Sequence, residues 1–262
     1  MKILFVSLGC DKNLVDSEKM LGMLQEKGYT FTDDEAEADV VVVNTCCFIG
    51  DAKEESIQNI LEMAEYRKHG PCKALIVTGC LAQRYRQEVI DEIPEVDAVL
   101  GTNSFDKLIP AIRAALEKNE KSLILEPLEG FASEKGKRLL TTGGHYAYLK
   151  IAEGCDKHCT YCIIPKVRGN YRSVPMESLL QEAETLAEQG VKELILVAQE
   201  TTLYGKDLYG EKSLHKLLKE LCKIKGIRWI RILYCYPEEI YPELIQVMKE
   251  EKKVCHYLDL PI

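Results

Sequence analysis

Three apolar stretches, rich in β-branched residues, each end one step before a cysteine, and this repeat constrains the fold of the first half most strongly. Residues 2–9 precede Cys10, residues 39–45 precede Cys46, and residues 73–79 precede Cys80. Near-continuous apolar runs are typical of strands that are buried on both faces, as in parallel sheets. Helix-length segments separate the runs, which predicts an open parallel βαβ sheet with right-handed crossovers.

The helices of this half are predicted from the segments between the runs, at Asp16 to Lys27, Asp51 to Lys68, Gln83 to Ile93 and Phe105 to Lys118. Ser104 is the expected N-cap of the last helix, and residues 98–100 are a predicted fourth strand. No G-x-G-x-x-G pattern follows the first strand, which argues against nicotinamide binding.

Cys10, Cys46 and Cys80 are predicted to face one crevice, because ligands collect outside the carboxyl ends of the strands in an open parallel sheet. Three converging thiolates suggest a 4Fe-4S cluster with one open iron. The alternative is inert packing, since free cysteine is often buried, although packing residues would fall inside the apolar runs. Cys47 is adjacent to Cys46 and is expected to point elsewhere in an extended segment. The cysteines that lack ligand spacing are interpreted as structural: Cys72, Cys222, Cys235 and Cys255.

Cys155, Cys159 and Cys162 form a C-x3-C-x2-C motif directly after the strand-like residues 146–151. A structural zinc site has four ligands, and a 4Fe-4S cluster held by protein alone has four cysteines. A cubane on three cysteines keeps one iron open, which allows it to chelate S-adenosylmethionine and cleave it to a carbon radical. The spacing is the signature of radical-SAM enzymes, and Tyr161 occupies the usual aromatic position before the last cysteine.

Two other interpretations of this motif stay open. His158 could complete a Cys3His zinc site, although the loop is short for that purpose. A disulfide is the other alternative. The amino terminus has no signal-peptide pattern, and eleven cysteines without a secretion signal indicate reduced thiols in the cytoplasm.

The composition is that of an ordinary globular protein, with 46% hydrophobic and 29% charged residues. No apolar run approaches the roughly 20 residues of a membrane helix, so no membrane association is expected. The net charge of -8 disfavours a nucleic-acid backbone and favours a basic partner. The compact basic stretch of Lys166, Arg168 and Arg172 is either a binding element or a solvated loop.

The 262 residues are enough for two domains. We predict a first domain at 1–128, a glycine- and lysine-containing linker at 129–144, and a second domain at 145–262. Strand and helix alternate again in the second domain, which predicts a partial (β/α) barrel. The barrel stops after its fourth strand and leaves an open edge, so the sequence is expected to be truncated.

The chain resembles the radical-SAM methylthiotransferases over all of its residues. The dispersed and the clustered cysteine triads are both features of that family. Further matching segments are Leu8-Gly9-Cys10-Asp11-Lys12-Asn13, Val43-Asn44-Thr45-Cys46, residues 145–151 and Gln199-Glu200-Thr201-Thr202-Leu203-Tyr204-Gly205. They are similar to the branch that modifies a ribosomal protein, whereas the tRNA-modifying branch usually has Gly-Gln-Asn-Val in place of residues 198–201.

The resemblance implies insertion of a methylthio group at the β-carbon of an aspartate of ribosomal protein S-twelve. It implies two 4Fe-4S clusters and two S-adenosylmethionine molecules, with cleavage of the cosubstrate at Cys155, Cys159 and Cys162. The triad of Cys10, Cys46 and Cys80 would carry the inserted sulfur. We expect an electron donor, a sulfur donor and a monomeric state, and we expect this sequence to lack the carboxyl-terminal TRAM module of the family.

Five further residues receive roles from the resemblance or from their position. Tyr161, Gln199 and Glu200 match positions that bind the cosubstrate, although the last two could simply be polar residues at the end of a strand. Arg168 and Arg172 could pair with a substrate carboxylate. The alternative functions are a tRNA adenosine methylthiotransferase and a noncatalytic iron-sulfur redox scaffold.

Overall fold

The computed structural model describes residues 1–118, 120–132 and 138–260, and the chain divides into two compact units. The first unit contains residues 1–139 together with 159–168, and the second contains residues 140–158 and 169–262. The sequence-based boundaries assign residues 159–168 to the second domain, whereas their contacts are with the first unit. Part of the predicted linker, residues 133–137, lies outside the described residues.

The first unit is built on a six-stranded parallel sheet with the strand order β2-β1-β3-β4-β5-β6. Its strands are β1 (Lys2–Ser7), β2 (Thr30–Phe31), β3 (Val40–Thr45), β4 (Ala74–Gly79), β5 (Ala98–Leu100) and β6 (Ser122–Ile124). Its helices are α1 (Asp11–Glu26), α2 (Gly50–His69), α3 (Cys80–Tyr85), α4 (Gln87–Glu92), α5 (Leu108–Lys118) and α6 (Ile164–Arg168), with 3-10 turns at Glu35–Glu37 and Phe105–Lys107.

The central strands β3 and β4 are buried along their whole length, as the uninterrupted apolar runs predict. One apolar core covers each face of the sheet, because alternate residues of a strand point in opposite directions. The predicted helix at 83–93 is broken at Arg86, whose φ of 52° is incompatible with a continuous helix. Ser104 precedes the 3-10 turn, but its hydroxyl accepts a hydrogen bond from the Glu126 amide and does not cap the turn.

The second unit contains a four-stranded parallel sheet in the order β12-β11-β10-β7, which agrees with a partial α/β barrel. Its strands are β7 (Tyr146–Lys150), β8 (Ala152–Glu153), β9 (Arg172–Ser173), β10 (Glu193–Val197), β11 (Trp229–Ile232) and β12 (Val254–Leu258), of which β8 and β9 form a separate antiparallel pair. Its helices are α7 (Met176–Glu188), α8 (Lys206–Tyr209), α9 (Leu214–Lys223) and α10 (Pro242–Glu250), with a 3-10 turn at Pro237–Glu239.

The apolar faces of α7, α9 and α10 contribute to one core with the inward side chains of this sheet. Leu179, Leu218 and Leu244 are fully buried there. Within the described residues, no helix combines the length and the apolar composition that crossing a membrane requires.

Candidate functional site

Cys10, Cys46 and Cys80 lie at one edge of the first sheet. Cys46 directly follows β3, Cys80 is the first residue of α3 directly after β4, and Cys10 is the N-cap of α1. Strands β1, β3 and β4 are parallel neighbours, so their carboxyl ends meet at the same edge. A β-carbon built on Gly9 would stand 3.1 Å from the sulfur of Cys46, so the backbone before Cys10 passes close to Cys46.

Gly79 lets the chain turn from β4 directly into Cys80. Its φ is +94°, and a β-carbon there would stand 2.5 Å from the Thr45 carbonyl oxygen. Both the conformation and the close approach therefore require glycine. The turn sets the direction in which Cys80 leaves the sheet.

Gly79→Ala is expected to destabilise the first unit by on the order of 1–3 kcal/mol, from backbone strain and the clash with Thr45. Thermal unfolding measures the loss. Gly28→Ala is the matched control, because Gly28 also has a positive φ, of 81°, but would meet nothing within 4 Å. Equal destabilisation by the two substitutions would show that the approach to Thr45 is unimportant.

The three thiols form a soft donor set of the kind that iron-sulfur clusters use. Burial raises the pKa of the Cys46 thiol and raises the pKa of Cys80 to about 12, and the nearby Cys10 adds to both increases. Both thiols are therefore protonated at neutral pH, and metal binding would have to release these protons. In the described part of the chain, no three histidine, cysteine or acidic side chains are arranged to hold a single metal ion. A cubane attaches each cysteine to a different iron, which is a different arrangement from three ligands on one ion.

Arg168 is buried beside these cysteines, with 3% of its surface exposed. Its Nε donates to the Cys80 sulfur at 3.3 Å, and its Nη1 forms an ion pair of 2.7 Å with Asp16. A guanidinium held in this way does not suit the predicted contact with a substrate carboxylate, and Arg168 is better assigned to the environment of Cys80. Arg172 lies half-buried in β9, where its Nη1 donates to the Asn170 carbonyl oxygen; its predicted substrate contact stays a prediction.

The C-x3-C-x2-C stretch crosses the boundary between the units after His158. On the second-unit side, Cys155 is half-buried, and its amide donates to the Gly169 carbonyl oxygen at 3.1 Å. On the first-unit side, Cys159 is exposed and Cys162 is half-buried, and the amide of Cys162 donates to the carbonyl oxygen of Cys159.

Tyr161 lies between these two cysteines and is 88% exposed. The exposed ring is available for stacking on a bound ligand. This position suits the cosubstrate contact predicted for Tyr161. All eleven cysteines are free thiols, so the cysteines of this motif do not form the disulfide that was one of the alternatives.

The beginning of the motif loop is anchored within the second unit by Lys157. Its ammonium pairs with Glu239 at 2.9 Å and lies 3.8 Å from the centre of the Tyr236 ring. Lys212 pairs with the other oxygen of Glu239 at 2.8 Å. These two lysines, Lys212 first and then Lys157, lower the pKa of Glu239 to about 2.

Glu239→Gln is expected to destabilise the protein by on the order of 1–3 kcal/mol at neutral pH. The native pKa is lower than the unfolded value of about 4.3, so the stabilisation is present above that pH and is lost as the pH falls through about 2. Urea unfolding at several pH values should show the difference between wild type and variant shrinking in this range. Glu238→Gln, in the same 3-10 turn, controls for the loss of one charge. A difference independent of pH would contradict the assignment.

Gln199 and Glu200, the predicted cosubstrate residues, follow β10 and have different surroundings. Gln199 donates to Glu153 at 2.8 Å, and among the described atoms its buried Oε1 has no hydrogen-bond partner. That oxygen is suited to accept a hydrogen bond from a bound ligand. Glu200 accepts hydrogen bonds from Thr202 and from the Tyr236 amide, which favours a role in shaping the loop; burial raises its pKa.

Glu153, an acidic residue two positions before the motif, was not among the predicted site residues. Glu153 is buried, pairs with Lys150 at 2.9 Å and accepts the hydrogen bond from Gln199. The available signal was that charged residues follow the apolar end of a predicted strand. Charged side chains are seldom fully buried unless they are paired, so a charge at such a position indicates a partner. No comparable local signal in the sequence identifies Glu239, the partner of Lys157.

Two family models match the chain. Residues 2–101 match the uncharacterized protein family UPF0004, and residues 149–262 match the radical SAM superfamily. The radical S-adenosylmethionine methyltransferase TsrM of Kitasatospora setae, solved with cobalamin and a 4Fe-4S cluster, aligns with 99% of this chain and 58% of its own. The TM-score is 0.63 at 14% identity, so this likeness concerns the fold alone.

Curated relatives match at much higher identity. The ribosomal protein uS12 methylthiotransferase RimO of Lachnoclostridium phytofermentans is 64% identical over 262 residues, which are 100% of this chain and 59% of the relative. The protein of the same name from Clostridium perfringens is 55% identical over 261 residues, or 100% of this chain and 58% of the relative. The chain thus spans a little more than half the length of these relatives.

Proposed function

We propose that the chain belongs to the radical-SAM methylthiotransferase family and is part of an enzyme that adds a methylthio group to the β-carbon of an aspartate of ribosomal protein uS12. The observation that carries the proposal is the presence of two separate three-cysteine sets. One set lies at the edge of the first sheet, at Cys10, Cys46 and Cys80. The other is the C-x3-C-x2-C motif.

Cys155, Cys159 and Cys162 would hold the 4Fe-4S cluster that binds S-adenosylmethionine. The bound cluster and cosubstrate would supply the radical chemistry that takes hydrogen from the aspartate side chain. The exposed ring of Tyr161 would stack on the cosubstrate, and the Oε1 of Gln199 would accept a hydrogen bond from its polar groups. Lys157 and Glu239 would fix the beginning of the loop.

Cys10, Cys46 and Cys80 would hold a second 4Fe-4S cluster, whose open iron offers a place for the sulfur that is inserted. Thiolate ligands suit this role because they are soft donors. A second S-adenosylmethionine would provide the methyl group. An electron donor and a sulfur donor are required as partners.

The substrate assignment is supported by two observations. The relatives with 54–64% identity carry the uS12 methylthiotransferase name. The net charge of -8 also suits a basic ribosomal protein better than an RNA backbone.

The test is incubation of the full-length protein with uS12 or with tRNA, together with S-adenosylmethionine, sulfide and a reductant. We expect a mass increase of one methylthio group on an aspartate-containing peptide of uS12 and no methylthioadenosine in the tRNA. Modified tRNA with unmodified uS12 would move the chain to the tRNA-modifying branch. Protein that is loaded with clusters but forms no 5′-deoxyadenosine would support a noncatalytic scaffold.

A further inference from the structure

The side chain of Arg168 connects the segments that carry the cysteines of the first unit. Its three nitrogens are each assigned: Nε to the Cys80 sulfur at 3.3 Å, Nη1 to Asp16 at 2.7 Å and Nη2 to Asn13 at 2.9 Å. The carboxylate partner is itself buried, with 3% of its surface exposed. A guanidinium is planar and rigid, so contacts on all three of its nitrogens fix its orientation.

Asn13 extends this network to the other two cysteine segments. Its Nδ2 donates to the carbonyl oxygen of Leu8 at 2.5 Å and to that of Thr45 at 3.3 Å. Leu8 stands two positions before Cys10, and Thr45 directly precedes Cys46. The arginine, its acidic partner and this amide therefore link all three cysteine-bearing turns.

The helix that carries Arg168 is held firmly on the first unit. Val167 is 2% exposed and belongs to the apolar core on one face of the sheet. Its carbonyl oxygen accepts a hydrogen bond of 2.6 Å from the Thr102 hydroxyl. The position of the guanidinium is thus set by packing and not by the cysteine alone.

We propose that Arg168 is a positioning residue of the cluster site formed by Cys10, Cys46 and Cys80, and that its charge and hydrogen bond raise the reduction potential of that cluster. The inference rests on the proposed function. A hydrogen bond to a ligand sulfur and a nearby cation both stabilise the more negative, reduced state of an iron-sulfur cluster. The hydrogen bond also restricts the rotamer of Cys80, which favours cluster assembly.

The test isolates this cluster in the full-length protein with Cys155→Ala/Cys159→Ala/Cys162→Ala as the parent. Iron content and the midpoint potential, followed by electron paramagnetic resonance during a redox titration, are the readouts. Arg168→Met is expected to shift the potential to more negative values and to lower the iron content. Arg168→Lys should give a smaller shift of the potential, because lysine keeps the positive charge but lacks the planar guanidinium. Arg113→Met, at an exposed arginine of α5, should match the parent.

A second variant separates positioning from folding. Breaking a buried ion pair leaves the partner charge uncompensated, whereas replacing both members with apolar residues is often tolerated. Asp16→Leu/Arg168→Met removes one charge of each sign, so it is expected to unfold near the parent temperature and to keep only the smaller shift to a more negative potential that comes from loss of the hydrogen bond to Cys80. A double variant with the parent's potential and iron content would reduce Arg168 to a structural role and overturn the proposal.

The two proposals fail in different ways. A parent that binds no iron at Cys10, Cys46 and Cys80 would overturn the proposed function and this inference together. A parent that binds about four irons, with an unchanged potential in folded Arg168→Met, would overturn only the role of Arg168.

Discussion

Replacing Cys155, Cys159 and Cys162 together by alanine is expected to abolish the formation of 5′-deoxyadenosine from S-adenosylmethionine. The three thiolates are the proposed ligands of the cluster that reduces the cosubstrate, and a cluster cannot be retained without them. Chromatography of reaction mixtures with dithionite as reductant measures the product. The methylthio transfer to uS12 should disappear as well.

The control for this variant is Cys222→Ala/Cys255→Ala, which removes two half-buried cysteines outside both triads. It should keep its iron and its cleavage activity. Cleavage at the wild-type rate by the motif variant would show that these cysteines are not the ligands, and the radical-SAM assignment of the site would have to be abandoned.

Replacing Cys10, Cys46 and Cys80 together by alanine is expected to abolish methylthio transfer while cleavage of S-adenosylmethionine continues. The cluster proposed at the edge of the first sheet would carry the inserted sulfur, so its loss would remove the sulfur source and leave the radical chemistry in place. Iron should fall from about eight to about four per protein, as two independent 4Fe-4S clusters require. Mass spectrometry of uS12 and iron analysis of anaerobically reconstituted protein measure the two effects.

Stability has to be controlled in this variant, because Cys46 is buried and its replacement leaves a small cavity. Cys47→Ala/Cys72→Ala removes two buried cysteines of the same unit and should keep all of the iron. An unchanged iron content in the Cys10/Cys46/Cys80 variant would show that these cysteines do not bind a cluster. The chain would then be a radical-SAM enzyme of another kind.

Most of the sheet architecture could be predicted because parallel strands are marked locally. Their β-branched runs are continuous, and β3 and β4 are buried throughout. The edge strands β2 and β6 were missed, since they have only two and three residues. The break at Arg86 was also missed, because nothing in the local sequence demands a positive φ there.

The sequence by itself determined which cysteines follow strands and which form the C-x3-C-x2-C motif, because both features depend on spacing along the chain. Only the tertiary structure decided the surroundings of these residues. Arg168 meets Asp16 across 152 positions, and Lys157 meets Glu239 across 82. Such pairs form because a buried charge needs a partner, and the partner is chosen by how the elements pack. Local sequence therefore placed the thiols, and packing placed the charges beside them.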